Sequence, residues 1–110
     1  NDVWCEVPLT FTQAALGCEI TVPTLYGKVS YTVPPGTQPG ESFRLRGKGI
    51  PHLNRYGRGD QYVKINIEVP RNLTEKQKEL LRQFDETTSD NKNYEKRKNF
   101  FQKLKDVMGF

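Results

Sequence analysis

Histidine and cysteine are scarce in this chain. His52 is the only histidine, and Cys5 and Cys18 are the only cysteines. A structural zinc site needs four closely placed ligands, and no CxxC pair occurs, so no metal is expected within these residues. The same scarcity argues against nucleophilic catalysis. His52 has no sequence reason to lie beside a thiol or hydroxyl, and a nucleophile needs a base and an orienting group within reach. No pair of carboxylates recurs at a telling spacing, so the chain is not expected to be an enzyme. Long apolar runs are also missing: nothing approaches the roughly 18 residues that cross a bilayer, and no secretory leader pattern is present. Cys5 and Cys18 fall on inward strand positions. They are expected to be buried free thiols, with a disulfide as the alternative. That usage fits a reducing cytoplasm.

What is present can build a modest core. Hydrophobic residues make up 35% of the 110 and charged residues 27%, which places the chain among folded domains rather than disordered segments. The length fits one domain with appendages. Charge is uneven. Residues 1–70 carry seven Lys/Arg against six Asp/Glu, whereas residues 71–110 carry ten against seven. Mixed signs in the second part indicate solvated helical faces rather than a polybasic arm. The chain opens on Asn1 and enters a strand pattern at once, so it is expected to be a piece of a longer protein.

Period-two alternation dominates to residue 69. Val3, Cys5, Val7 and Leu9 share one face of a first strand, and Cys18, Ile20 and Val22 share one face of a second. Val29, Tyr31 and Val33 do so in a third, Phe43 and Leu45 in a fourth, and Val63, Ile65, Ile67 and Val69 in a fifth. "TLYGK" reads as a tight hairpin with Gly27 at positive φ. "FTQAALG" reads as one or two helical turns ending at Gly17.

The period changes after Pro70. Thr74 and Gln77 form the T-x-x-Q signature of a capping box, and Leu73, Leu80, Leu81 and Phe84 follow at helical spacing. The polar stretch 86–93 reads as a linker. Beyond it, Phe100, Phe101, Leu104, Val107 and Met108 make the stripe of a second amphipathic helix, with Lys96, Lys98, Lys103 and Lys105 beside it. These stripes have two readings: contact between subunits, or packing on the chain's own β domain.

The glycine-rich stretch 40–63 holds Arg44, Arg46, Lys48, Arg55, Arg58 and His52. It is not a phosphate loop, because Gly49 stands where Ser or Thr is required and the flanks are strands. Arg58-Gly59-Asp60 spells an adhesion tripeptide, but Asp60 directly precedes a strand, and the start of a strand is the better reading. Basic residues interleaved with His52 and Tyr56 leave nucleic-acid binding open, although the surrounding β region is nearly neutral.

These residues together carry a resemblance. Pro8, Phe11, Ala14-Ala15-Leu16-Gly17, Val22-Pro23-Thr24-Leu25, Gly27, Pro34, Gly36 and Gly40 recur in the C-terminal part of the forty-kilodalton, DnaJ-type heat-shock co-chaperone family. So do Arg44-Leu45-Arg46-Gly47-Lys48-Gly49, Gly59-Asp60 and Leu73, and the ending "FFQKLKDVMG" is similar to that family's tail. The resemblance spans about residues 3–86 plus that ending. It implies a mainly β fold: a small two-sheet β-sandwich with one short helix, followed by C-terminal amphipathic helices. The expected divisions are a client-binding sandwich over 1–70, a dimerisation helix over 71–86, a linker over 87–93 and a C-terminal amphipathic helix over 94–110.

The family's J domain, with its His-Pro-Asp loop, and its zinc-binding CxxCxGxG repeats have no counterpart here. Zinc, and stimulation of a DnaK-type ATPase, are therefore expected of other parts of a full-length protein, with no cofactor in this chain. What remains implies holding of unfolded clients and homodimerisation through Leu73, Leu80, Leu81, Phe84, Phe100, Phe101, Leu104, Val107 and Met108. Trp4 is the residue singled out for client contact, because its strand phase sets it opposite Val3, Cys5 and Val7. Its alternative is packing under the short helix or against the other sheet. Within the family's pattern the basic glycine-rich stretch is a strand, an excursion and the next strand. A purely structural dimerisation module and a nucleic-acid-binding domain remain the competing functions; neither a membrane nor a nucleic acid is an expected partner.

Overall fold

The computed structural model of the chain describes residues 2–45, 60–88 and 92–109. The chain divides into two compact units, Asn1–Pro70 and Arg71–Phe110. The basic glycine-rich excursion, including Arg46, Lys48, His52, Arg55, Tyr56 and Arg58, lies outside the described residues.

The first unit is built from two sheets. Strands β1 (Val3–Thr10), β5 (Gln61–Glu68) and β4 (Ser42–Leu45) form one, in the order β1-β5-β4. Strands β2 (Cys18–Thr24) and β3 (Gly27–Val33) form the other. β5 is central, running parallel to β1 and antiparallel to β4. The alternation seen in the sequence sends one face of every strand inward. Leu9, Val22, Val33, Leu45, Val63 and Ile65 are the buried core, and Val7, Ile20, Val29, Tyr31, Phe43 and Ile67 pack around it. Burying each large aliphatic side chain contributes about 1.5–3 kcal/mol relative to exposure. This shared core is what holds the sheets together.

One polar side chain crosses between the sheets. Gln61 is in phase with Val63 and Ile65, so it points inward and is buried, and its Nε2 donates to the Pro23 carbonyl at 3.1 Å. A buried amide would be costly without that partner. Near it, β2 and β3 are joined by a short hairpin in which Thr24 pairs with Gly27. Gly27 has φ +105°, as its position in the hairpin requires. Thr24 Oγ1 donates to the Gly27 carbonyl and accepts from the Tyr26 N–H, which locks the turn.

Helix α1 (Phe11–Leu16) follows β1 without a linker. Thr10 caps it: the Gln13 N–H donates to Thr10 Oγ1 at 3.1 Å, and the Thr10 N–H donates to Gln13 Oε1 at 3.0 Å. Its last carbonyls are satisfied from the segment after β3. The Ala14 carbonyl accepts from Gly36 N–H at 2.9 Å and from Thr37 N–H at 3.1 Å. Gly17 ends the helix at φ +82°, where a Cβ would lie 2.9 Å from the Val33 carbonyl oxygen.

Two sequence expectations need correcting here. Val69 was expected on the inward face of the last strand, but β5 stops at Glu68 and Val69 is 74% exposed. Its strand partner β1 ends opposite Glu68 at Thr10, where the chain turns into α1, and Pro70 offers no N–H to extend a ladder. Cys5 and Cys18 do face the core and are free thiols, yet each is half-buried rather than buried. Both sit on the outermost strand of a sheet or near its end, where the opposing layer covers them incompletely.

The second unit holds α2 (Glu75–Thr87) and α3 (Glu95–Met108). The expected capping box is present: the Gln77 N–H donates to Thr74 Oγ1 at 3.2 Å and the Thr74 N–H donates to Gln77 Oε1 at 2.8 Å. Thr87, expected in a linker, belongs to α2, whose end is closed by the Thr88 N–H donating to the Asp85 carbonyl at 3.0 Å. The Thr87 hydroxyl satisfies the Phe84 carbonyl, so a polar residue without apolar spacing still continues the helix.

Candidate functional site

Two surfaces carry exposed apolar groups. The first is the outer face of the three-stranded sheet. Trp4 on β1, Tyr62 on β5 and Arg44 on β4 are in register across all three strands. Trp4 and Tyr62 stack with ring centroids 4.6 Å apart and planes 15° from parallel. Trp4 remains 62% exposed. Trp4 therefore packs neither under α1 nor against the second sheet, but stands on the solvent face. Arg44 is not a free cation. Its Nε donates to Asp60 Oδ2 at 2.5 Å, and that carboxylate, as acceptor and as charge, holds the guanidinium above its ordinary value. The Asp60 N–H donates to Asp2 Oδ1 at 2.8 Å, which fixes the start of β5 against the start of β1. Asp60 therefore acts at the start of a strand, as its position in the sequence implied.

β1 is an outer strand, and among the described residues no strand pairs with its far side. The Val3 N–H donates to the Asp60 carbonyl at 2.9 Å. In a parallel ladder alternate residues bond to the neighbour, so Trp4 and Glu6 direct their main-chain groups to the open side. Pro8 has no N–H, and pairing along that edge ends there. The edge is thus short and bounded, with a tryptophan at its centre.

On the inner side, Tyr31 and Phe43 meet with centroids 4.4 Å apart. Burial, and then the Glu41 carboxylate, pushes the Tyr31 phenol up from its ordinary value. This pair belongs to the core rather than to a site.

The second surface is helical. No residue of α2 or α3 is buried among those described. Leu73 and Leu81 are half-buried, whereas Leu80 and Phe84 are exposed. On α3, Phe100, Phe101, Leu104, Val107 and Met108 are all exposed, Val107 at 84%. Phe100 and Phe101 meet edge to face at 5.1 Å, and the Arg97 guanidinium lies 4.8 Å from the Phe101 ring centre. The helical periodicity of the sequence therefore gathers the predicted residues into stripes that solvent reaches.

Among the described residues no group of three or more His, Cys, Asp or Glu could hold a metal ion, and no helix is long and apolar enough to cross a membrane. Sequence reasoning missed Tyr62, Asp60 and Gln61 as partners. The outward phase of Tyr62 was legible, but its place beside Trp4 depends on a parallel register between strands far apart in the chain, which periodicity does not encode.

Comparison with known proteins follows this division of the chain. Residues 1–70 match the family model described as DnaJ C terminal domain, and residues 76–107 match the one described as Chaperone protein DnaJ C-terminal region. The chain is 66% identical over 107 residues to Chaperone protein DnaJ of Ruminiclostridium cellulolyticum, covering 97% of this chain and 28% of that protein. It is 64% identical over 109 residues to that of Acetivibrio thermocellus, covering 99% and 28%. It is 53% identical over 109 residues to that of Halothermothrix orenii, covering 99% and 29%. The chain thus spans a little over a quarter of the length of the curated relatives it matches.

Proposed function

The chain belongs to the DnaJ C-terminal domain family, and from that premise we propose that it holds unfolded client proteins and joins two copies into a homodimer. The observation that carries this reading is exposed apolar surface in two places: the Trp4–Tyr62 stack beside an open strand edge, and the stripes of α2 and α3. The roles divide by chemistry. An open edge offers main-chain hydrogen bonds that any extended client can satisfy whatever its sequence, and an aromatic beside it adds contact with few directional demands. The α2 and α3 stripes supply the large apolar anchors that dominate interfaces between subunits.

Dimerisation makes a weak site useful. One shallow contact per copy binds feebly, but in a dimer the second contact becomes intramolecular, raising avidity about 10²–10⁴-fold. Delivery of the client to a DnaK-type ATPase is assigned to parts of the full-length protein that carry a His-Pro-Asp loop, and zinc to its cysteine-rich repeats; this sequence has neither. The proposed setting is the cytoplasm. Nucleic acid is not a proposed partner, since Arg44 is already engaged by Asp60.

The competing reading is a dimerisation module with no client site. Diluting a chemically denatured, aggregation-prone protein into buffer with the 110-residue chain separates the two. Client holding lowers the light scattering at near-equimolar ratio, whereas a purely structural module leaves it at the level set by an inert protein of equal mass.

A further inference from the structure

The open edge of β1 is charged in a particular way. Trp4 and Glu6 lie at alternate positions of β1, so they share its outward face, with the Glu6 carboxylate beside the indole; the Asp2 carboxylate, just before β1, is turned to the β5 side, where it accepts from the Asp60 N–H. Tyr62 covers one face of that indole from the inner strand β5. The other face looks toward the unpaired side of β1. Glu6 makes no ion pair among the described residues. Lys64, in register with Glu6, stands on β5, one strand further from the edge.

An extended segment laid along β1 would place one side chain directly opposite Trp4, about 4.5–5.5 Å away, with Glu6 on a diagonal at about 7–8 Å. The open face of a tryptophan attracts cations more strongly than that of any other aromatic, and guanidinium most often fills that role. The Glu6 carboxylate adds to the attraction, while an acidic side chain at the same place would be repelled. We propose that the β1 edge selects extended client segments that carry an arginine or lysine opposite Trp4, held over the indole beside Glu6. This rests on the client-holding reading above and adds to it a chemical preference: cationic residues within otherwise apolar segments.

Trp4 is the only tryptophan in the chain, so its fluorescence reports on this position alone. The test titrates the whole 110-residue chain with nonapeptides of alternating valine and threonine whose central residue is arginine, citrulline, leucine or glutamate. Citrulline keeps the shape of arginine without the charge. The arginine peptide should bind roughly three- to thirty-fold more tightly than the citrulline peptide, with a change in Trp4 emission, and the glutamate peptide most weakly. Glu6→Gln should reduce the arginine-to-citrulline ratio, and Trp4→Leu should abolish it. Circular dichroism establishes that Trp4→Leu is folded; if it is not, the Glu6→Gln variant, near-isosteric and still fluorescent, decides.

Equal binding of the arginine and citrulline peptides overturns the proposal while leaving client holding intact. A preference that survives in folded Trp4→Leu overturns it too, by placing the cation elsewhere. Trp4 emission that changes with chain concentration in the absence of peptide would show a second copy on this edge, and the selection of clients there would be wrong. If no peptide binds, the leucine one included, the client-holding reading fails and this inference fails with it.

Discussion

Gly17 ends α1 at φ +82°, and its neighbours leave no room for a side chain. A Cβ there would approach the Val33 carbonyl oxygen to 2.9 Å and Pro35 Cδ to 3.0 Å. Both are fixed, one in β3 and one in a proline ring, so neither can move aside cheaply. Gly17→Ala is expected to cost about 1–3 kcal/mol, from the positive φ and the close approach together. Urea denaturation measures this as a lower midpoint with an unchanged slope. Gln61 makes a different argument. It is a polar residue in an apolar row, and its hydrogen bond to Pro23 joins the sheets. Gln61→Ala removes that bond and empties a buried side-chain position, for a loss of about 1–3 kcal/mol. A midpoint within error of the unaltered chain would mean that water or a neighbour replaces the amide. The residue scale also shows where sequence reading reached its limit. The inward phase of Gln61 was visible, but nothing in the alternation says that a carbonyl of another strand awaits it.

At the scale of elements, local rules did well where signals are local. Thr74 and Gln77 announced the start of α2, and their reciprocal hydrogen bonds are present. Thr10 and Gln13 carry the same signature before α1 and went unread, because Thr10 also completes the alternation of β1. The strand pairing was not legible. β1 and β5 start 58 positions apart in the chain, Val3 beside Gln61, and their parallel alignment follows from how the two apolar faces share a core. Val69 was misplaced for a related reason: alternation continues past the point where the neighbouring strand has ended. The apolar stripes of α2 and α3 lead to the prediction that belongs here. A carboxylate in the α2 stripe should weaken association of two copies, because burying it unpaired is costly. Leu81→Asp should therefore shift sedimentation velocity from dimer toward monomer at micromolar concentration, with strand content unchanged by circular dichroism. A folded Leu81→Asp dimer as tight as the unaltered chain would remove α2 from the interface.

For the molecule as a whole, the proposed function joins two weak features into one activity. In that proposal the sheet face and its open edge are a site that is small and tolerant of sequence, and dimerisation would make two such sites act together. Family membership and the two-sheet architecture were both legible in the sequence, through linked motifs such as Val22-Pro23-Thr24-Leu25 and the steady inward phase of each strand. The solvent-facing position of Trp4 was half legible: phase turned it away from the core, while its stacking on Tyr62 and the open side of β1 required the fold. The most direct measurement is the binding of an immobilised, permanently unfolded client by the unaltered chain and by folded Leu81→Asp, at concentrations where the first is dimeric and the second monomeric. The account predicts that the chain binds and that losing the dimer weakens apparent affinity by about 10²–10⁴-fold. Equal affinity of the two, or no binding by either, would contradict it.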